Sequence, residues 1–147
     1  MSDKPAVPQD SRRDFGHFAH IPTRWMDNDV YGHLNNVVYY SYFDTVINRW
    51  LIAEAGLDPK KSPVVGLCVE SKCRFLRTIA FPEDVDAGLR VEKLGSSSVR
   101  YGVGIFRRGS EELCAIGYFV HVFVDREMKP ATIDAGMRKA FERLVMR

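Results

Sequence analysis

Residues 34–56 read LNNVVYYSYFDTVINRWLIAEAG, from Leu34 to Gly56, and the placement of this stretch decides the fold. Asn35 or Asn36 offers a side-chain oxygen for a free helix-start N–H; Gly56 can adopt the left-handed conformation that ends a helix, with Pro59 beyond it. A helix is therefore predicted over Val37–Ala55. Tyr39, Phe43, Val46 or Ile47, and Trp50 form one apolar stripe, while Val38, Tyr42 and Val37, Tyr40 form others. A surface helix carries one stripe roughly 100° wide. This one is apolar on most of its circumference and is expected to be largely surrounded, with Asn48, Arg49 and Glu54 marking its wetter side and far end.

Downstream of the helix the apolar period changes to two. Leu67, Val69, Ser71, Cys73 and Phe75 alternate with Cys68, Glu70, Lys72 and Arg74, and Val85 to Glu92 and Val99 to Phe106 alternate in the same way. Phe81-Pro82-Glu83-Asp84, Gly95-Ser96-Ser97 and Arg108-Gly109-Ser110 supply turns, so these are antiparallel strands. Leu113 to Asp125 is apolar at nearly every position, as in a strand covered on both faces. Ile133, Met137, Ala140, Phe141 and Leu144 recur at helical spacing and predict a short C-terminal helix. Upstream, His17 to Met26 predicts a first strand. Residues 1–17, rich in Pro, Asp, Ser, Lys and Arg, are expected to be a flexible arm, leaving 18–147 as a single α+β domain. One long antiparallel sheet of about five strands, curled around a central helix, accounts for both patterns.

Composition excludes several function classes. The 147 residues suit one domain by the prior of roughly 100–200 residues. Lys+Arg and Asp+Glu nearly balance, 21 against 19, and are scattered, so no basic stripe for nucleic acid exists. The apolar run Tyr118–Val124 is far shorter than the roughly 18–20 residues that span a bilayer, and the N-terminus lacks an apolar signal region. A soluble, cytoplasmic protein with reduced Cys68, Cys73 and Cys114 is expected. Of its 2 Trp, 6 Tyr and 9 Phe, seven fall within residues 25–50.

Those aromatics flank Asp27, Asp29 and His33, which stand just before the helix start. Asp27 to Gly32 mimics the opening of a calcium loop, with acids at loop positions 1 and 3 and Gly at 6, but Tyr31 and Val38 stand where further ligands are needed. Each residue taken singly has an ordinary structural use, in an Asx turn, a bend or a bond to a carbonyl. Acid–base or nucleophilic catalysis is the third reading. Helix-start N–H groups lack intrahelical acceptors and sit at the positive end of the dipole, where they can polarise a carbonyl that a nearby carboxylate, or water activated by it, attacks. A non-enzymatic acyl-binding pocket is the fourth.

The block Arg24-Trp25-Met26-Asp27-Asn28-Asp29-Val30-Tyr31-Gly32-His33-Leu34-Asn35-Asn36, followed by Tyr39 and Tyr42, resembles the R-W-x-D-x-D-x-x-G-H-x-N-N-x-x-Y-x-x-Y signature of hot-dog-fold acyl-CoA thioesterases of the 4-hydroxybenzoyl-CoA thioesterase type. The likeness continues more weakly through Val69–Leu76 and Leu94–Ser98. It implies a curved sheet wrapped around a central helix, an acyl-CoA substrate, no cofactor beyond the CoA of that substrate, no metal, and a homodimer or homotetramer with sites at the subunit interface. Carried over by position, Asp29 takes the catalytic carboxylate, the backbone N–H near Asn36 polarises the thioester carbonyl, His33 orients the site or handles a proton, and Asp27 braces the loop. Asn35-Asn36 stands where the 4-hydroxybenzoyl enzyme has an aromatic pair. Tyr39, Tyr42 and Phe43 are candidates to line an acyl tunnel; Arg74, Arg77 and Arg100 are candidates for the CoA phosphates. Asp44, inside the helix, is the rival carboxylate, with a solvent-facing role favoured for it. A hot-dog enoyl-CoA hydratase and an acyl-CoA binding module are the alternatives, although the Asp29-x3-His33 spacing and the missing Asn-Pro argue against the first.

Overall fold

The alternating segments form five antiparallel strands in the computed structural model, which describes residues 7–146: β1 His17–Ile21, β2 Val64–Phe75, β3 Val85–Leu94, β4 Ser98–Arg107 and β5 Leu113–Asp125. They make one sheet in the order β1-β3-β4-β5-β2, with α1 Asn36–Glu54 on one face and the short α2 Ala135–Leu144 closing one end. The hot-dog expectation therefore holds. The alternation does the work: Val85, Ala87, Leu89 and Val91 of β3 and Val99, Tyr101, Val103 and Ile105 of β4 all enter the buried core beneath α1. Phe43, Val46, Ile47 and Leu51 of α1 are fully buried against them. Removing such a ring or branched chain costs on the order of 2–5 kcal/mol.

The helix is less enclosed than its sequence suggests. One stripe, from Tyr39 through Phe43, Ile47 and Trp50 to Leu51, is buried, while Val37 and Ile52 are exposed. A single five-stranded sheet and α2 cover only that side.

The first strand is shorter than His17–Met26. It ends at Ile21 because Pro22 has no N–H for the ladder, and Trp25–Asp27 turns instead as a 3₁₀ segment. Part of the expected N-terminal arm is packed. Residues 1–6 lie outside the described residues, but the chain from Asp10 onward is docked on the outer face of the sheet. Phe15 packs with Phe106, Leu113 and Ile116 in a second small core. Gly88 and Gly104 make room for it, since a Cβ at Gly104 would meet the Phe15 ring at 2.6 Å. Arg12 bonds Asp86 Oδ2 at 2.9 Å and lies over Phe106; Arg90 lies over Phe15 and bonds Asp10 at 2.8 Å. Composition alone hid this, because one Phe and the cation–π contacts of Arg12 and Arg90 hold a segment that otherwise reads as solvated. The same segment covers the outer face at the start of β5, where Leu113–Ile116 are all buried; beyond them burial alternates until Phe123 and Val124, so the strand is not covered on both faces throughout.

His121 sits mid-sheet, 3% exposed, between the edges of Phe119 and Phe123, with its Nδ1 3.0 Å from the Tyr101 hydroxyl. Burial pushes its pKa down from 6.5 to about 4. The folded ring stays neutral while the unfolded one takes a proton below pH 6.5, so stability is full above that pH and is lost as the pH falls towards 4. Urea unfolding across this window should show the wild type losing up to about 3 kcal/mol more than H121Q. Equal slopes in both proteins would rule out His121 as the source.

Candidate active site

Loop geometry before α1 is set by a buried carboxylate. Asp27 is 1% exposed. It accepts the Arg24 backbone N–H at 2.9 Å, the Arg24 guanidinium at 2.9–3.0 Å and the Tyr42 hydroxyl at 2.9 Å. Burial by itself would raise its pKa, but these bonds and the Arg24 charge outweigh burial and hold the carboxyl below its ordinary value of 3.8. Burial, reinforced by the Asp27 bond, pushes the Tyr42 phenol upward, so that it stays a donor.

From this anchor the chain makes a tight excursion and returns. The Asp27 carbonyl accepts the Asn35 N–H at 2.9 Å, and Asn28 Oδ1 accepts the Phe81 N–H at 3.0 Å. Within the excursion Asp29 N–H bonds His33 O at 2.9 Å, and Gly32 takes φ +89°, a conformation that favours glycine. Leu34 N–H then ties the loop to Ile79 O at 2.7 Å.

Asp29 is left with its side chain 18% exposed. One oxygen accepts the Tyr31 N–H at 2.9 Å; the other is 3.9 Å from His33 Nδ1. That ring nitrogen is nearer Leu34 O, at 3.3 Å, and both neighbours are oxygens, which favours a proton on Nδ1. The N-cap is Asn35, whose side chain accepts the Val37 N–H at 3.0 Å and whose carbonyl accepts the Val38 N–H at 3.0 Å. Asn36 is the first helical residue, and its N–H has no acceptor among the described residues.

Asp29, His33, Asn35, Asn36 and Tyr39 line one side of a cleft of about 560 Å³, and Phe75, Leu76, Arg77 and Thr78, at and beyond the end of β2, line the other. The volume suits a small-molecule ligand, for which roughly 300–1,000 Å³ is usual. A carboxylate, an unused helix-start N–H and an aromatic floor thus share one opening. Across it, Arg77 Nη1 bonds Leu113 O at 2.6 Å and its Nε lies 3.8 Å from Glu112, with the side chain half exposed.

The structure does not bring every candidate here. Tyr42 is buried on Asp27, and Phe43 is fully buried in the core, so Tyr39 alone of the three aromatics lines the cleft. Asp27 is committed to Arg24 and Tyr42 and is absent from the cleft lining, which also removes it as a calcium ligand. Arg74 and Arg100 lie on the opposite sheet face with Lys72, Arg90, Glu92 and Tyr118, where Arg100 stacks at 3.9 Å over Tyr118 and bonds Glu92 at 3.1 Å. Successive strand residues face opposite ways, so Arg74 and Phe75 cannot serve one site in one chain. Asp44 is exposed and bonds Asn48. Of the wall Phe75–Thr78 sequence reasoning singled out Arg77 and missed Phe75, Leu76 and Thr78; an apolar residue ending an alternating strand was their only signal. It also missed Arg24, although a cation three residues before a buried acid could have marked it.

A model of the thioesterase-like superfamily matches residues 23–141. The chain belongs to the thioesterase-like superfamily. The PA5185 protein of Pseudomonas aeruginosa PAO1 is 47% identical over 94% of this chain and 97% of its own, with a TM-score of 0.91. YsmA of Bacillus subtilis, an uncharacterized protein, is 25% identical over 81% of this chain and 80% of its own. BH1999, a gentisyl-coenzyme A thioesterase, shares the thioesterase fold at a TM-score of 0.76 and 20% identity, covering 85% of this chain and 99% of its own. Among the described residues no helix is long and apolar enough to cross a membrane, and no cluster of three His, Cys, Asp or Glu could hold a metal.

In this superfamily member Asp27 should be structural. D27N should lose about 1–3 kcal/mol of stability at pH 7 by urea unfolding. The stabilisation by Asp27 is present above pH 3.8 and is lost as pH falls through the depressed folded pKa, so the two proteins should converge in acid. Equal stability at pH 7 would remove Asp27 as the loop's anchor.

Proposed function

We propose that the chain hydrolyses acyl-CoA thioesters to free acid and CoA. The observation that carries this reading is the pairing of Asp29 with the unused Asn36 N–H on one cleft. The thioester oxygen takes the Asn36 N–H at the positive end of α1, which stabilises the negative charge that grows there. Asp29 takes a proton from the water that attacks the carbonyl carbon, and collapse of the adduct breaks the C–S bond and releases CoA as thiolate; or Asp29 attacks that carbon itself, thiolate leaves, and water cleaves the resulting acyl–Asp29 anhydride to free acid and the restored carboxylate. A thiol is acidic enough to leave with little proton assistance, so one placed carboxylate suffices. His33 orients Asp29 and carries the proton onward. Tyr39 and Phe75 receive the acyl group, and Arg77 stands where the CoA arm would enter. The reaction as proposed uses no resident cofactor.

We further propose a homodimer or homotetramer that completes the site. β2 is an edge strand whose outer backbone has no partner strand among the described residues, and it exposes Val69. Trp25, Met26, Val30 and Tyr31, in a depression that shares Asp29, Tyr31 and Asn35 with the cleft, are exposed apolar side chains. A second copy covering both would follow from the way sheet edges and large apolar patches attract partners.

D29N keeps the shape and removes the base, so kcat for thiol release should fall by a factor on the order of 10²–10⁴ with an unchanged thermal midpoint. D44N should turn over like the wild type. Near-normal turnover in D29N would overturn the assignment, and loss of an enoyl double bond without thiol release would favour a hydratase.

A further inference from the structure

Three of the four buried residues with side-chain hydroxyls among the described residues have that group paired. Thr23 donates to Glu83 O at 2.6 Å, Tyr42 to Asp27 at 2.9 Å, and Tyr101 lies 3.0 Å from His121 Nδ1. Tyr39 departs from that pattern. It is 3% exposed, held edge-on against Phe75 at 5.1 Å and Tyr42 at 6.1 Å, yet its hydroxyl has no hydrogen-bond partner among the described residues. The thiols within electrostatic reach of it, Cys114 and Cys73, are directed to the carbonyls of Glu112 and Arg74. No enclosed side-chain oxygen among the described residues lacks a partner, so this hydroxyl is reached from outside, and the opening that Tyr39 lines is the cleft.

The geometry points to Tyr39 as a specificity-determining residue whose hydroxyl bonds a polar substituent of the bound acyl group. This rests on the thioester reading above, and it names the substrate class: acyl thioesters that carry a hydroxyl or carbonyl oxygen beyond the thioester. Tyr39 is three residues along α1 from Asn36, which at 1.5 Å per residue places it about one turn deeper than the N–H that would hold the thioester oxygen. A plain alkyl chain at that depth strips water from the phenol and returns no bond, whereas an oxygen-bearing chain replaces the lost water. Sites that bond a substrate oxygen reject the analogue lacking it more strongly than apolar pockets reject an added one. Burial pushes the Tyr39 pKa up to about 12, so the group remains able to donate throughout the neutral range.

The test measures kcat/KM for hexanoyl-CoA and its positional hydroxy isomers, with the wild type and Y39F. The wild type should favour at least one isomer by about tenfold or more, and Y39F should bring that ratio to within about twofold of unity. The thermal midpoint of Y39F should equal or exceed that of the wild type, because no internal bond is lost. Thiol release with no isomer preferred, or a preference that survives in Y39F, overturns the role of Tyr39 and leaves hydrolysis standing; so does a destabilised Y39F, which would mean an internal partner. If no thioester releases thiol, hydrolysis fails, and Tyr39 is judged on the binding of non-hydrolysable thioether analogues. The same isomer ratio in Kd, abolished in Y39F, supports the role, and equal Kd values overturn it.

Discussion

A carboxylate removed from water must be paired and fully bonded, or its burial costs several kcal/mol. Asp27 meets that demand through Arg24 and Tyr42, one from the turn before it and one from α1. Because Tyr42 belongs to the helix that fills the sheet, this single group welds the loop to the core. The backbone from Asn28 to Leu34 must then leave and return between fixed points, and Asp27 O and Ile79 O hold the return. Asp29 is presented to the cleft because Asp27 is not.

The two acids of the Asp-x-Asp pair thus occupy opposite environments two residues apart. One is sealed and charge-compensated; the other is partly exposed, with one oxygen on a backbone N–H and the second 3.9 Å from an imidazole. The same division separates the tyrosines of the helix. Tyr42 is consumed by the fold, and Tyr39, one turn nearer the helix start, keeps its hydroxyl uncommitted. Position along a helix decides which groups remain available for a ligand.

Much of this was legible in the sequence. The period-two alternation over residues 67–75, 85–92 and 99–106 fixes strand faces directly, and the cap Asn and Gly56 mark α1 to within a residue or two. The Arg24–Tyr42 block carried the family. What stayed hidden depends on contacts between distant segments. Phe15 finds two glycines more than 70 residues away, which no local pattern announces. The sides on which Arg74, Arg77 and Arg100 lie follow from strand ends and pleat, and proximity to turns could not sort them. An apolar helix surface likewise gave no sign of which face one sheet would leave uncovered.

The central claim is that this cleft breaks a thioester, and the most direct measurement follows free thiol and free acid together from the wild-type protein over acyl-CoAs of graded chain length, aryl-CoAs included. The account predicts one thiol per acid formed, at a rate well above spontaneous hydrolysis for at least one member of the series. Binding of these thioesters without release of thiol from any of them would contradict it and leave an acyl-CoA binding module in its place.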